Sequence, residues 1–413
     1  MPSQARRIEE SVVTLVRPTG KTCQTSEQAV GPIRLQWRGA DTARTPGVRG
    51  LTPADAAIPP AYLEMSEEHL RQRIERARTA LGTDLVILGH HYQREEIIRH
   101  ADFRGDSYKL SQLAANRRDA RYIVFCGVHF MAESADILSA PHQQVILPNL
   151  EAGCSMANMA QPDDVEACWA ELTGTIDARI VPVTYMNSAA SLKAFCGRNG
   201  GLVCTSSNAS AALRWALDRG DKVLFFPDQH LGRNTALRLG YRQDDMLIWS
   251  PRVPSGGHTV EELRAATFYL WLGWCSVHAR FSTEQIRWAR ENHPGVRVIV
   301  HPECKREVVD AADEYGSTEL IARRITESAP GSVWAVGTEI NLVSRLEREN
   351  PDKTVFCLDP VICPCSTMYR IHPGYLAWVL DRLAEGEVVN RIAVDAETTK
   401  WAKVALERML QIA

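Results

Sequence analysis

The sequence of 413 residues lacks the features that mark membrane-spanning, exported and nucleic-acid-binding proteins. No apolar run reaches the roughly 18 residues that a membrane span requires. The first residues lead into no apolar segment of the secretory type, so no such signal is expected. The formal net charge of −3 offers no basic excess to attract nucleic acid. We therefore expect a cytoplasmic protein that binds neither nucleic acid nor a membrane.

Two common cysteine patterns are also missing. The chain has neither the CxxC pairs of zinc ribbons nor the CxxxCxxC of radical enzymes. Its 11 cysteines, without an export signal, indicate a reducing compartment in which thiols bind metal, react or lie buried. A disulfide framework is therefore not expected.

What is present is a unit that occurs three times, over residues 85–131, 179–232 and 297–342. Each copy has an apolar run, a polar cluster, a helical stretch, a Ser/Thr-containing turn before a second helix, and another apolar run. One cysteine follows each copy, namely Cys154, Cys275 and Cys365. Because apolar strands alternate with amphipathic helices, the sequence predicts an α/β fold. We expect three similar α/β/α sandwich repeats with parallel sheets around a pseudo-threefold central site.

The domain boundaries follow from these repeats. Residues 1–60 lack sustained periodicity and are predicted to form a poorly structured extension. The first repeat is assigned to 61–160, the second to 161–280 and the third to 281–365, with the helices of 366–413 packing back on the first. The stretch from Gly232 to Leu272 is longer than its counterparts, which indicates an insertion or a lid.

Polar clusters stand at the end of the first apolar run of each repeat, in HHYQ (90–93), YMNS (185–188) and HPEC (301–304). Ligands of parallel α/β sheets bind beyond the carboxyl ends of the strands, so these clusters are expected to face one site. The turns GDS (105–107), TSS (205–207) and GST (316–318) each precede a helix. Such turns are either helix N-caps or anion sites built from free N–H groups and hydroxyls. Three at equivalent positions favour a ligand with several carboxylates or phosphates.

One thiolate from each repeat matches a [4Fe-4S] cluster in which one iron lacks a protein ligand and acts as a Lewis acid. The CPC of Cys363 and Cys365 also permits a redox pair or a two-ligand metal clip. Cys357 and Cys363 are the closer alternatives as ligands. The cysteines interpreted as non-ligands are Cys23, Cys126, Cys168, Cys196, Cys204 and Cys304.

Dispersed motifs give the chain a family resemblance. HHYQ with GDS, CGVHFMAESADIL, NLEAGCSMA, YMNS with CTSSNA, GWCSVH, HPEC with GST, VGTEINL and CxxM resemble bacterial quinolinate synthases, over about 62–375. The resemblance implies three α/β/α domains around a [4Fe-4S] cluster held by Cys154, Cys275 and Cys365, with Met368 in the last loop. It implies condensation of iminoaspartate with dihydroxyacetone phosphate to quinolinate, releasing phosphate and water, in NAD biosynthesis. An aspartate-oxidising enzyme is the expected source of iminoaspartate.

The resemblance also assigns site residues. Glu303 is the only carboxylate in the strand-end clusters and is interpreted as the general base or acid, with a structural salt bridge as the alternative. Tyr92 is expected to move a proton, and His278 to lie beside the open iron. The expected substrate-binding residues are His90, Ser107, Tyr185, Asn187, Ser206, His301, Ser317 and Thr318. Two alternatives stay open, namely another open-cluster hydro-lyase acting on a di-acid and a zinc-binding or redox-sensing scaffold.

Overall fold

The computed structural model of the protein describes residues 58–361 and 364–412. The predicted extension over 1–60 therefore lies outside the described residues apart from its last three positions, and so do Cys23 and Cys363. Within these ranges, no helix combines the length and the apolar character that a membrane crossing demands.

Short apolar runs form the strands, because residues covered on both faces of a parallel sheet need no polar alternation. Every residue is buried in the two longest strands, β1 and β5. The strands are β1 (Leu85–His90), β2 (Phe103–Gly105), β3 (Tyr122–Cys126), β4 (Gln144–Ile146), β5 (Ile180–Tyr185), β6 (Leu202–Cys204), β7 (Lys222–Phe226), β8 (Met246–Trp249), β9 (Phe268–Trp271), β10 (Arg297–Val300), β11 (Glu314–Tyr315), β12 (Val333–Gly337), β13 (Thr354–Cys357) and β14 (Arg391–Ile392).

Amphipathic segments form the helices, and several begin at a side chain that accepts a backbone N–H of the first turn, as Ser66, Ser282 and Asp395 do. The helices are α1 (Pro60–Glu64), α2 (Glu67–Leu81), α3 (Glu95–Ile98), α4 (Ser107–Asn116), α5 (His129–Leu138), α6 (Pro162–Thr175), α7 (Ala190–Arg198), α8 (Ala209–Leu217), α9 (Gln229–Arg238), α10 (Val260–Ala265), α11 (Thr283–Asn292), α12 (Arg306–Ala311), α13 (Thr318–Thr326), α14 (Ile340–Glu349), α15 (Pro373–Ala384) and α16 (Ala396–Gln411).

The strands form three sheets that share a strand order. The first sheet contains β2-β1-β3, the second β6-β5-β7 and the third β11-β10-β12, so the first strand of each repeat lies between the other two. Among the described strands, every pairing is parallel except that of β14 with β4. The predicted fold class, three similar α/β repeats with parallel sheets, is therefore confirmed.

The long stretch of the second repeat is an insertion that extends the sheet. It contains β8, α10 and β9, and β9 pairs with β7 just as β4 and β13 pair with the corresponding strands of the other sheets. β8 then pairs with β9 at the edge. The extra length is therefore one additional edge strand with its helix.

The C-terminal elements divide between two repeats. β14 pairs with β4, and α15 packs on α2, where Arg73 and Tyr62 bind Asp381 at 2.7 and 2.8 Å. In contrast, α16 packs on α7 and β6 of the second sheet. Gly197 allows this approach, because a Cβ there would lie 2.0 Å from the Trp401 carbonyl oxygen. α16 also contacts α5, so it lies against both the first and the second repeat.

Candidate active site

The predicted polar clusters lie at the carboxyl ends of β1, β5 and β10, each of which has a neighbour on both sides. Each strand end presents two side chains two positions apart, which we call the strand-end pairs: His90 and Tyr92, Tyr185 and Asn187, His301 and Glu303. In the first and third pairs the histidine Nδ1 accepts the backbone N–H two residues on, at 3.1 and 3.3 Å. These two strand ends therefore turn alike and hold a tyrosine and a carboxylate at equivalent positions.

Side chains from five segments of the chain meet in one hydrogen-bonded group. His278 Nδ1 lies 2.7 Å from Glu303 Oε2, and its Nε2 lies 3.1 Å from Thr338 Oγ1. Thr338 Oγ1 also lies 2.8 Å from the Tyr92 hydroxyl, which is 3.3 Å from His278 Nε2. Tyr185 hydrogen-bonds to Glu303 from the second repeat. The structure thus brings together the three residues predicted to be catalytic.

Burial and hydrogen bonding set the ionisation of this group. Burial alone would raise the pKa of Glu303, but the neighbouring histidines and the hydrogen bonds to its carboxylate outweigh this and lower the pKa. Burial lowers the pKa of His301 to about 3 and that of His90 well below its usual range. Burial and then the charge of Glu303 raise the pKa of Tyr92 and of Tyr185. At neutral pH Glu303 is therefore ionised, His90 and His301 are neutral, and the hydroxyls of Tyr92 and Tyr185 keep their protons.

The loops that carry Cys154, Cys275 and Cys365 share one structure, and we call them the Cys-Ser loops because serine follows each cysteine. The cysteine carbonyl accepts the backbone N–H four residues on, at 3.2, 3.0 and 2.9 Å respectively. The thiol accepts the N–H of the third residue on. A short 3-10 helix begins at that residue, over Ala157–Met159, His278–Arg280 and Met368–Arg370. The repeated Cys-Ser pair is a sequence signal that the motif reasoning missed.

The three thiols lie close enough to affect one another. Burial raises the pKa of each, and neighbouring thiols of the set raise it further for Cys154 and Cys275. Among the described residues, the set of metal-ligand side chains with atoms all within 4.8 Å is Cys275, His278 and Glu303, not the three thiols. One tetrahedral ion would hold its sulfurs about 4 Å apart. The three thiols are therefore not all within reach of one ion, whereas Cys275, His278 and Glu303 could hold metal.

Two buried carboxylates beside these loops were not predicted. Glu339 caps α14, its Oε1 accepts the Cys365 N–H at 3.1 Å, and burial raises its pKa to about 7. Asp228 caps α9 through Oδ1, while its Oδ2 is buried with no partner among the described residues. Burial and then the charge of Glu303 raise the pKa of Asp228. Both residues could have been found in the sequence, because each is an acidic residue between an apolar strand and a helix, in the second and third repeats respectively.

Two of the predicted anion-binding turns are capped by their own side chains. Asp106 Oδ1 accepts the N–H of Lys109 at 2.9 Å, and Ser317 Oγ accepts that of Leu320 at 3.3 Å. The interpretation as a helix cap is therefore confirmed for Ser317. In the first turn Asp106 is the cap, which sequence reasoning missed although it stands inside GDS.

Contacts between the repeats join the first turn directly to the second and, through the helices that follow, to the third. Ser207 Oγ donates to the carboxylate of Asp106, and Lys109 Nζ lies 3.0 Å from Glu319 Oε1. The second helix begins two residues later than the pattern of the other two, because α4 and α13 begin at the third residue of their turns and α8 begins after Asn208. The turns that the sequence proposed as equivalent therefore lie beside one another.

Several predicted substrate-binding groups have no protein partner. The hydroxyls of Ser107, Ser206 and Thr318 make no hydrogen bond to another described residue. The Oδ1 of Asn187 is buried and is likewise unpaired within the described part of the chain. These four groups are available to a polar ligand.

The remaining cysteines are placed apart from the loops. Those in the core are at most 2% exposed, namely Cys126, Cys168, Cys196, Cys204 and Cys304. Cys357 is half-buried, with its Sγ 3.9 Å from the Thr338 carbonyl oxygen. Met368 is buried, and its sulfur lies 3.6 Å from Gln93 Nε2.

The fold and the site define a class: an α/β enzyme of three repeats whose strand ends and cysteine loops meet at one centre with metal-binding groups. The family described as quinolinate synthetase A protein matches residues 72–411. The chain belongs to the quinolinate synthetase A family, and the predicted family and enzymatic role in NAD biosynthesis are confirmed.

Similar proteins cover nearly the same length. A quinolinate synthase of Corynebacterium glutamicum is 57% identical over 361 residues, which is 87% of this chain and 92% of that protein. One of Nocardioides sp. is 55% identical over 390 residues, covering 92% and 97%. One of Streptomyces coelicolor is 52% identical over 399 residues, covering 95% and 99%.

Proposed function

We propose that the chain condenses iminoaspartate with dihydroxyacetone phosphate to form quinolinate, releasing phosphate and water. The observation that carries the proposal is the hydrogen-bonded group of Tyr92, Thr338, His278 and Glu303 beside three converging thiols. This group offers proton donors and acceptors at a buried site with metal-binding side chains, as a condensation with several proton transfers requires. The similarity to proteins named quinolinate synthase supports the same reaction.

A [4Fe-4S] cluster held by Cys154, Cys275 and Cys365 is part of the proposal. Backbone N–H groups donate to all three thiols, which favours the thiolate form that binds iron. When bound, the cluster supplies a Lewis acid at the iron that no cysteine holds. The spacing of the thiols speaks against a single zinc ion held by all three cysteines, since one ion would need them closer.

The substrates carry carboxylates and a phosphate, and hydrogen-bond donors would hold them. The unpaired hydroxyls of Ser107, Ser206 and Thr318 are such donors. His90 and His301 are neutral and accept a backbone N–H at Nδ1, so each carries its proton at Nε2 and can donate it. Tyr185, Asn187 and Ser317 complete the proposed binding residues, with Ser317 acting through the helix end that it caps.

Proton transfer falls to the central group. Glu303 removes protons during imine formation and ring closure and returns them as water leaves. His278 holds the carboxylate in place through Nδ1. Tyr92, whose hydroxyl stays protonated, donates to oxygen that gains charge during the reaction.

An anaerobic turnover assay tests the function. The purified protein is expected to form quinolinate and phosphate in equal amounts from iminoaspartate and dihydroxyacetone phosphate. Dehydration of a di-acid without the phosphate ketone would instead support the hydro-lyase alternative. Because an imine hydrolyses in water, we expect an aspartate-oxidising enzyme to supply iminoaspartate close by. We propose that both enzymes act in the cytoplasm.

A further inference from the structure

The turn of the second strand-end pair lacks the hydrogen bond that the other two pairs share. In the first and third pairs the histidine Nδ1 accepts the backbone N–H two residues on. The second pair begins with Tyr185, which has no ring nitrogen to accept that bond. The turn that follows β5 is therefore held by other groups.

Lys193 supplies one of these groups. It is completely buried in α7, and its Nζ donates to the Ser188 carbonyl oxygen at 2.5 Å and to the Phe130 carbonyl oxygen of α5 at 3.4 Å. Among the described residues, no other donor reaches the Ser188 carbonyl oxygen. Burial lowers the pKa of Lys193 to about 8, so at neutral pH its ammonium group is protonated and only donates.

The equivalent position in the other two repeats is apolar. In each repeat the helix after the strand-end pair has its N-cap four residues after the first residue of the pair. Four residues beyond the N-cap stand Ile98 in the first repeat, Lys193 in the second and Val309 in the third. Ile98 and Val309 are buried. The lysine therefore occurs in the repeat that has no histidine bond, and an apolar residue occurs in the two that have it.

Contacts with α5 of the first repeat fix the chain on both sides of Asn187. Glu133 Oε2 accepts the Ala190 N–H at 3.0 Å, and Ser134 Oγ lies 3.3 Å from Met186 Sδ. The Asn187 Oδ1 between these contacts is buried and has no partner in the described part of the chain. A fixed turn therefore presents an amide that the protein itself leaves unused.

We propose that Lys193 is a positioning residue of the second repeat, whose ammonium group holds the Ser188 carbonyl and thereby directs the Asn187 amide at the substrate. This role rests on the proposed function, in which Asn187 binds substrate. Without the ammonium group the Ser188 carbonyl oxygen loses its donor, and the turn gains freedom that the substrate has to remove when it binds. Lys193 acts on the substrate only through Asn187.

The test replaces two buried lysines of the second repeat by methionine. Lys193→Met keeps the length of the side chain and removes the charge and the donors. Lys222→Met is the matched control, because Lys222 also donates to two carbonyl oxygens, those of Arg264 and Ala266, but lies at the start of β7, away from the strand ends.

The two variants are expected to differ in substrate affinity. Lys193→Met should raise KM by about tenfold, with kcat within about threefold of wild type, because a binding group is held less firmly. Lys222→Met should keep both kinetic parameters of wild type, even where its melting temperature falls. Iron content should match wild type in both variants.

A second kinetic arm places Lys193→Met in an Asn187→Ala background. The two losses of affinity should be less than additive, because Lys193 acts through the amide that Asn187→Ala removes. Fully additive losses would overturn the proposal, as would an unchanged KM in Lys193→Met. An equal rise of KM in Lys222→Met would assign the effect to the loss of any buried lysine and would overturn it too.

Crystal structures of wild type and both variants provide a readout independent of turnover. Lys193→Met should show the Ser188 carbonyl and the Asn187 side chain displaced, and Lys222→Met should not. An unmoved Asn187 in Lys193→Met would overturn the proposal even in a protein that makes no quinolinate. Should Lys193→Met not fold, Lys193→Leu takes its place in all comparisons, since the equivalent residues of the other repeats are apolar. Absence of quinolinate with wild type alone would count against the proposed function and not against Lys193.

Discussion

The three Cys-Ser loops and the three strand-end pairs lie around the same centre, yet the threefold repeat is kept in the loops and lost in the pairs. Each loop has the same carbonyl bond to the fourth residue on and the same N–H bond to the thiol. Two of the strand-end pairs share a backbone turn. The side chains nevertheless differ in every repeat: the first pair is His and Tyr, the second is Tyr and Asn, and the third is His and Glu.

This difference separates two tasks. The loops are defined by backbone hydrogen bonds, which leave equivalent thiols in three places, as a symmetric ligand set requires. The strand-end pairs are defined by side chains, which gives one repeat a carboxylate and another a phenol. We therefore expect substitutions in the loops to abolish the metal centre. Substitutions in the pairs should lower turnover and leave the metal centre in place.

The largest effect is expected from the loops. Replacing Cys154, Cys275 or Cys365 by Ser should abolish normal cluster assembly and turnover, because each removes one of three thiolates. Iron content and quinolinate formation of each purified variant measure this.

The matched controls are cysteines outside the loops. Cys126→Ser and Cys168→Ser should keep normal iron content and activity, since both thiols lie in the core. Cys363→Ser tests the remaining ligand choice. Normal iron content in Cys365→Ser, with loss in Cys363→Ser, would reverse our assignment.

The next largest effect is expected from the third strand-end pair. Glu303→Gln keeps the shape and removes the titrating carboxylate, so turnover should fall by about 10²–10⁴-fold. Iron content should match wild type, because Glu303 is not a proposed ligand. A variant with normal iron and near-normal turnover would show that Glu303 is structural, as a partner of His278 only.

The sequence predicted the fold and the central residues of the site but not the buried polar residues that contact them. Apolar runs and polar strand ends repeat along the chain, so Glu303, Tyr92 and His278 could be named before their contacts were known. Asp228, Thr338 and Glu339 follow strands in which no polar cluster stands out, and only tertiary contacts give them a role.

Two details of the fold were left open by the sequence for the same reason. The extra length in the second repeat and the path of α16 depend on which surface is free to pair or pack. Neither property is visible in local periodicity. Gly197 illustrates this, because a glycine within a helical pattern does not show that the backbone of Trp401 packs against it.

An effect of intermediate size is expected on the pH dependence of the free energy of unfolding. The pKa of His301 is lowered to about 3 by burial, against about 6.5 in an unfolded chain. The unfolded state therefore binds more protons between these values, and stability is lost as pH falls through that window. Relative to His301→Gln, wild type should lose roughly 1.4 kcal/mol of unfolding free energy per pH unit between pH 6 and 4. Parallel pH profiles of the two proteins in denaturant titrations would contradict a buried, neutral His301.

The smallest effects distinguish binding hydroxyls from caps. Ser107→Ala, Ser206→Ala or Thr318→Ala should each weaken substrate binding by about 1–2 kcal/mol, with little change in melting temperature. Ser317→Ala should instead lower stability by about 1 kcal/mol, because its Oγ caps α13. Binding titrations and thermal melts of the four variants measure both quantities. If the variants of Ser107, Ser206 and Thr318 lose stability but keep their substrate affinity, these hydroxyls are structural and do not bind substrate.

The central claim is that three equivalent Cys-Ser loops hold one cluster with an open iron. Iron and acid-labile sulfide counts on anaerobically purified wild type, with an absorption spectrum, test it most directly. The account predicts a brown protein with about four irons and about four sulfides per chain. A colourless protein with one zinc ion and no sulfide would contradict it.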